Sequence, residues 1–456
     1  MSGLRAAVIA CAAILLTGGL SFAALAAQVP TVSDDTRRVP LPPPKESNRP
    51  ALLIVNATLI DGTGARARPG TDVLIEGDRI VALGPSGTLG PAGQAARRID
   101  ASGLFAVPGL IDLHLHFTGQ RGDDFGRYRE SESAAAIRAT LLAGQLVRAG
   151  ITAVREPGTA GDVSIRLREA VERGMLDGPR IFWSGRRIVA RGGHGDEITA
   201  TASGRPVALE TSPRSRVATG PWDWRLAVRE EIRMQADWIK LTAPYTREEV
   251  DAAVDEAHMH GIPLTVDSFG KYTTWAVEAG IDCIEHPLDM PDGTIELMAR
   301  RGTCLVPTLV AFYNVLQFGY PSAGIPAGGF YYTLSRRFVV DHDQHLRVVR
   351  AAHRAGVPIG VGTDIPFELD RRYPQDYYAE LGFLKQAGLS DAEVLAAATR
   401  VGAQILKLGD RLGTIEPGKL ADIVLVAADP LRDIENLRQV RHVIADGRLV
   451  APGPSP

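Results

Sequence analysis

Eight short apolar runs alternate with helical stretches, and several end in a residue able to bind a metal. Together they predict an α/β chain built on a (β/α)8, TIM-like barrel. Strand-like alternation also marks both ends of the chain beyond its leader: LLIVNATLID and TDVLIEGDRIVALG at one end, LADIVLVA and VRHVIADGRLV at the other. Two strand-rich ends around a long βα middle predict a small bipartite β-sandwich formed by both ends of the mature chain. The boundaries read as 50–106 and 413–456 for the sandwich and 107–412 for the barrel.

The first element is a leader. Met1 to Arg5 is short and positive, Ala6 to Leu25 is mostly apolar and small, and Ala24-Leu25-Ala26 offers a small-x-small cleavage site. This layout predicts a signal peptide over 1–27, and so an exported protein, periplasmic or secreted. An uncleaved anchor is the alternative, because the run approaches spanning length. Residues 28–49, with Leu41-Pro42-Pro43-Pro44, read as an extended lead-in. No later segment is apolar enough to span a bilayer, so no membrane association is expected after cleavage.

The barrel strands are expected at FAVPGLIDLH, ITAVRE, RIFWSG, WIKLTA, PLTVDS, DCIEH, CLVPTLV and PIGVGT. Between them, SAAAIRATLLAGQLVRAG and REEVDAAVDEAHMHG space their apolar residues at helical intervals. A doubly wound open sheet is the alternative, but it leaves ligands at so many strand ends unexplained. With 456 residues, 45% hydrophobic and 23% charged, the chain can bury one large core and a smaller one. A formal net charge of −3 gives no basic excess for nucleic acid, so the partner is sought in a site, as a small molecule or dipeptide-like substrate. Homo-oligomerisation is left open. Cleavage removes Cys11 and leaves Cys283 and Cys304 at the starts of neighbouring strands. A bridge is geometrically conceivable there, but two buried free thiols are expected.

His114 and His116 lie two apart on a strand, so both point to the barrel interior, at the strand end where barrel chemistry sits. His258 and His260 share that spacing, but on a helix, where such residues diverge. They read as structural or solvated, and His342 and His345 as a solvated helix face. Lys240 stands in the buried run Trp238-Ile239-Lys240-Leu241, so it must meet carboxylates or be chemically neutralised. Addition of carbon dioxide would make it a carbamate able to bridge two ions. His286 and Asp364 complete the set, since imidazole and carboxylate both bind zinc-like ions and a carboxylate can also shuttle a proton.

The motifs VPGLIDLHLH, GPRIFWSGR, RGGHGD, WIKLTA, AGIDCIEHP, GVPIGVGTD and LGTIEPGKLADIVLVAADP give the chain a resemblance to the amidohydrolase superfamily. The branch resembled holds imidazolonepropionase-like proteins and dipeptidases acting on C-terminal Pro or Arg. This likeness implies a barrel with a bipartite β-sandwich and two divalent ions, expected to be zinc, with manganese or another ion open because of Asp267. It also implies that His114, His116 and Asp364 hold one ion and His286 the other, with a carboxylated Lys240 as the bridge. A metal-bound hydroxide would then attack the scissile carbonyl while the catalytic Asp364 takes and returns a proton.

One strand departs from the pattern. Where the branch reads like VHAHG, this chain has Val266-Asp267-Ser268-Phe269-Gly270. Asp267 can still bind a divalent ion, but with a shorter arm. Two divalent ions facing two aspartates, a carbamate and a hydroxide would be formally neutral, where the usual site keeps a positive charge. Three readings follow: a binuclear enzyme with altered metal preference, a mononuclear deaminase- or lactonase-type hydrolase, or a ligand-binding homologue with impaired catalysis. Retention of Lys240 favours the first. For the substrate, His194 on its loop can polarise a carbonyl, Tyr245 can hydrogen-bond an oxyanion, and Phe269 supplies an apolar wall. An aromatic stretch from Phe312 to Tyr332 reads as a loop and candidate lid. The expected function is that of an exported metal-dependent amidohydrolase, cleaving an amide-like C–N bond in a small peptide, N-acyl amino acid or cyclic amide.

Overall fold

The computed structural model describes residues 50–90, 96–118, 131–196, 198–200, 206–208, 214–286, 288–318, 341–364 and 373–451. The leader at 1–27, the lead-in at 28–49 and the stretch 319–332 lie outside them. All described residues belong to one compact unit, Pro43–Pro456. No described helix is long and apolar enough to cross a membrane.

The chain enters through β1 (Leu52–Leu59), β2 (Arg68–Glu76), β3 (Arg79–Pro85), β4 (Arg97–Asp100) and β5 (Phe105–Pro108). Near the other end come β17 (Ile423–Val426), β18 (Val440–Ala445) and β19 (Arg448–Leu449), the last of 19 strands among the described residues. These eight form one sheet in the order β19-β18-β17-β5-β1-β2-β3, with β4 also on β1. The join is the antiparallel pair β5–β17, running from Phe105 opposite Val426 to Pro108 opposite Ile423. Strand alternation gives β17 two faces. Ile423 and Leu425 pack with Ile54, Leu59 and Val73 inside the sheet unit. Val424 and Val426 pack with Leu110, Val147 and Ile151 of the other unit.

That second unit is a TIM-barrel-like α/β fold. β6 (Leu110–Asp112), β7 (Ile151–Glu156) and β8 (Arg180–Trp183) pair in parallel. Ser184 to Arg186 then separate β8 from β9 (Arg187–Ala190), and β10 (Ile198–Ala200) and β11 (Pro206–Ala208) form a small excursion. β12 (Ser215–Ala218), β9, β13 (Ile239–Thr242), β14 (Leu264–Asp267), β15 (Cys283–Glu285) and β16 (Cys304–Val306) follow side by side, all parallel. The run from Pro358 to Asp364 continues the circuit through backbone hydrogen bonds. Leu305 N donates to Pro358 O at 2.9 Å on one side, and Leu113 N donates to Val361 O at 2.8 Å on the other.

The run FAVPGLIDLH, read as one strand, is split: FAVP belongs to the end sheet and LID to the barrel. The break is Gly109, where a Cβ would sit 2.0 Å from Thr152 Oγ1, so only glycine lets the chain pass. The stretch read as a loop from Phe312 begins inside a helix, α1 (Leu309–Phe318). Its first amides, Leu309 N and Val310 N, donate to the Glu380 carboxylate at 3.0 and 2.7 Å, an N-terminal cap supplied from a distant segment. Cys283 and Cys304 are register partners on β15 and β16 and form a disulfide, Cα–Cα 4.4 Å, in place of the expected free thiols. On α2 (His342–Arg354), His345 is fully buried, its ring 5.7 Å from that of Phe312, rather than solvated; burial pulls its pKa down to about 3. His258 and His260 are half exposed and paired with Asp282 and Glu256, as structural residues.

Candidate metal centre

Four side chains meet where the barrel strands end. His114 Nε2 lies 3.3 Å from Asp364 Oδ1, His116 Nε2 3.1 Å from the same oxygen, and His286 Nε2 3.7 Å from Asp364 Oδ2. Among the described residues, His114, His116 and Asp364 form a group whose ligand atoms lie within 4.8 Å of one another, close enough for one ion. Asp112, fully buried beneath them, ties their two segments together. Its Oδ1 accepts His114 N at 3.0 Å and Thr363 N at 3.1 Å, and its Oδ2 accepts Thr363 Oγ1 at 2.7 Å. Strand ends turn sharply here: His286, Thr308 and Asp364 have φ of 58°, 48° and 43°. Such backbone costs about 1–3 kcal/mol per residue, and at His286 and Asp364 it belongs to side chains that meet in the site.

Each imidazole is held from behind by its other nitrogen. His114 Nδ1 lies 2.8 Å from Glu285 Oε2, His116 Nδ1 3.1 Å from Gly158 O, and His286 Nδ1 2.7 Å from Thr308 Oγ1. A carbonyl or carboxylate oxygen only accepts, so when His114 and His116 ligate an ion through Nε2 their proton belongs on Nδ1, facing the Glu285 carboxylate and Gly158 O respectively. Burial drives His114 well below its ordinary pKa and His116 down to about 4, the latter helped by Arg214. Burial acts to raise the Asp364 carboxyl, but His114 and His286 outweigh it and hold the group far below the usual carboxylate range. Imidazole nitrogens converging on a carboxylate form a donor set for a divalent cation.

Lys240 and Asp267 stand on adjacent parallel strands beside this group, Lys240 opposite Thr265 and Thr242 opposite Asp267. Lys240 is buried, and its Nζ has no hydrogen-bond partner among the described residues. Burial lowers its pKa against the opposing pull of Glu285, Asp267 and Asp364. An orphaned, buried amine among carboxylates fits a group that bridges or neutralises charge. Burial acts to raise the Asp267 carboxyl, yet His286 and Lys240 hold it below its ordinary range. Asp267 stands outside the group of three.

The substrate-side residues are placed differently. His194, half-buried, acts electrostatically on Asp267 from its loop. Tyr245 is buried in the wall, and its hydroxyl donates to Tyr272 O at 2.9 Å. Phe269 packs edge-on against Tyr272, ring centroids 5.4 Å apart. Sequence reading passed over Glu285 and Arg155, although a charge inside a buried apolar run such as DCIEH or ITAVRE is a usable signal. It also passed over Arg187 and Arg214, which act electrostatically on His116; Arg187 N donates to Arg214 O at 2.9 Å, so the two arginines sit together. Burial and Arg187 bring the Arg214 pKa down to about 9.

Comparison with known proteins agrees with this geometry. Residues 105–450 match the family described as the amidohydrolase family. An ochratoxinase of Aspergillus niger is 26% identical over 474 residues, covering 93% of this chain and 92% of its own. A solved Xaa-Pro dipeptidase with methionine bound in its active site is 30% identical, covers 88% of this chain and 99% of its own, and superposes with a TM-score of 0.76. A prolidase solved with N-methylphosphonate-L-proline is 28% identical with the same coverage and a TM-score of 0.77.

Proposed function

The chain belongs to the amidohydrolase family and is a hydrolase of carbon–nitrogen bonds, and from that premise we propose a binuclear, metal-dependent amidohydrolase acting on a small substrate. The observation that carries the proposal is the convergence of three imidazole Nε2 atoms on one ionised carboxylate, each imidazole tied back through Nδ1. His114, His116 and Asp364 would hold one ion and His286 the second, with Asp267 beside it. Lys240 would bridge the two as a carbamate, formed when its neutral amine adds carbon dioxide and releases a proton; burial, which favours that neutral amine, supports this. Imidazole-rich ligation favours zinc, while Asp267 shifts the preference toward harder ions such as manganese. The barrel is read as a full (β/α)8 circuit.

When bound, the ions polarise the scissile carbonyl and acidify a water. Asp364, kept ionised by its histidines, accepts the proton of the attacking water and delivers it to the departing amine. His194, which acts electrostatically on Asp267, would orient the carbonyl. Arg187 and Arg214 supply positive charge near His116, suited to a carboxylate on the substrate. That charge, with the likeness to Xaa-Pro dipeptidases, supports a dipeptide or N-acyl amino acid over a cyclic amide. Export, periplasmic or secreted, is proposed from the leader and is supported by the Cys283–Cys304 disulfide, since disulfides persist in oxidising compartments.

The test is the metal content per chain of protein purified without chelators, by elemental mass spectrometry, followed by a substrate screen. Dipeptides ending in Pro, Arg or an aromatic residue would be set beside N-acyl amino acids, cyclic amides and lactones. Close to two ions with amide hydrolysis is expected, and Asp364→Asn should lower turnover by at least about 10²–10⁴-fold while the fold persists. No ion after reconstitution would overturn the reading in favour of a ligand-binding protein. The position of Asp267 outside the tight group favours one alternative, a mononuclear hydrolase, which a count near one ion would select.

A further inference from the structure

Behind His114 lies a buried charge pair. Glu285 on β15 and Arg155 on β7 are both 0% exposed. Glu285 Oε2 faces His114 Nδ1 at 2.8 Å, and its Oε1 accepts from both Arg155 Nη2 and Thr265 Oγ1. Arg155 also grips the backbone on either side of His114. Its Nε donates to Leu113 O at 2.7 Å, and its own carbonyl accepts Leu115 N at 3.2 Å. The guanidinium lies over the Trp238 ring, 4.6 Å from the centroid, and Trp238 is itself buried. Three barrel strands, β7, β14 and β15, thus turn interior polar groups toward one imidazole and the residues beside it.

A fold has little reason to bury such a pair for stability. Apolar residues of similar volume serve a core as well or better, because two desolvated charges seldom recover their hydration. A carboxylate behind a metal-ligating histidine has a specific use: it selects the tautomer, fixes the ring plane and raises the basicity of the ligating nitrogen. We propose that Glu285, clamped by Arg155 and Thr265, is the positioning residue of the metal centre. It holds His114 with its proton on Nδ1 and Nε2 aimed inward, and so sets the affinity for the first ion. The inference rests on the metallohydrolase reading for the identity of that ion, but not for the tautomer.

The test compares the full-length parent with Glu285→Gln, Arg155→Gln and the double variant. Melting temperature is measured without metal, zinc affinity by chelator competition, and the His114 tautomer by ¹⁵N imidazole shifts in metal-free protein. Either single change strands one buried charge and is expected to lower the melting temperature sharply. The double variant pairs two amides and should regain most of that loss, which keeps the test usable if a single variant does not fold. Its zinc affinity should nevertheless stay about 10–100-fold below the parent's, with His114 no longer held in the Nδ1–H form. Zinc affinity that recovers along with stability would show the pair to be merely structural and overturn the proposal. So would a metal-free parent whose His114 carries its proton on Nε2. A parent that binds no zinc would sink the metallohydrolase reading, and the tautomer measurement would still decide the positioning role.

Discussion

Asp267 is the residue that separates the binuclear reading from the mononuclear one. Its neighbours keep it ionised in spite of burial, since His286 and Lys240 stand beside it. As a ligand, a carboxylate there would add a negative charge to the set, and a less positive centre would acidify water less. Asp267→His is therefore expected to change which metal supports turnover before it changes the melting temperature, read by reconstituting the metal-free protein with zinc and manganese in parallel. Asp267→Ala should lose the second ion. If that variant binds metal and turns over substrate like the parent, Asp267 is no ligand. Each candidate ligand was legible in sequence because it ends an apolar run: His114 and His116 after LID, His286 after CIE, Asp364 after VGT. The groups that hold the ligands from behind were not. Gly158 O is a backbone atom, and Thr308 reaches His286 through a backbone turn at φ 48° that a threonine does not announce.

At the level of the element, the barrel strands were readable where both faces are buried. ITAVRE is β7 residue for residue, with all six positions buried, and a parallel strand covered on both sides reads as one apolar run. What depends on register or on distant partners was hidden. The disulfide follows from Cys283 standing opposite Cys304, which only the pairing of β15 with β16 determines. The part of α1 from Phe312 reads as a loop in sequence because the helix's cap, Glu380, is 71 residues from Leu309. That cap has a consequence for pH. Burial pushes Glu380 up to about 8 against the bonds from Val310 and Leu309, and Asp112 adds to the rise. The folded protein therefore binds this proton more tightly than the unfolded chain does. Its contribution is fully present below the unfolded value near 4.5 and is lost as pH rises toward about 8, at up to roughly 1.4 kcal/mol per pH unit. Glu380→Gln imitates the protonated form, so denaturant titrations between pH 5 and 8 should show a shallower fall in stability than the parent's. An unchanged slope would mean that Glu380 is ionised in the folded protein.

For the whole molecule, the end sheet and the barrel share β17, whose alternate residues belong to two cores. The contact is close: a Cβ on Gly150 would come 3.0 Å from Val424 Cγ2. Beside it, Arg180 at the start of β8 donates to Asp422 Oδ2 at 2.9 Å and Asp446 Oδ1 at 2.9 Å, and Asp446 N donates to Asp422 Oδ1 at 2.7 Å. The Arg180 side chain is 23% exposed and that of Asp422 6%, so the pair is only partly shielded from water. Arg180→Met leaves Asp422 without its cation and Asp446 with Arg448 alone. A fully buried pair broken this way loses about 3–5 kcal/mol, and the remaining exposure brings the expected loss nearer 2 kcal/mol. Combining the change with Asp422→Asn and Asp446→Asn should recover most of it. Because Val424 and Val426 still bind the sheet to the barrel, urea unfolding of Arg180→Met should remain a single transition with the parent's m value, followed by tryptophan fluorescence and circular dichroism together. Two separated transitions would show that the sheet unfolds on its own, and that the ion pairs rather than the shared strand hold the two parts together.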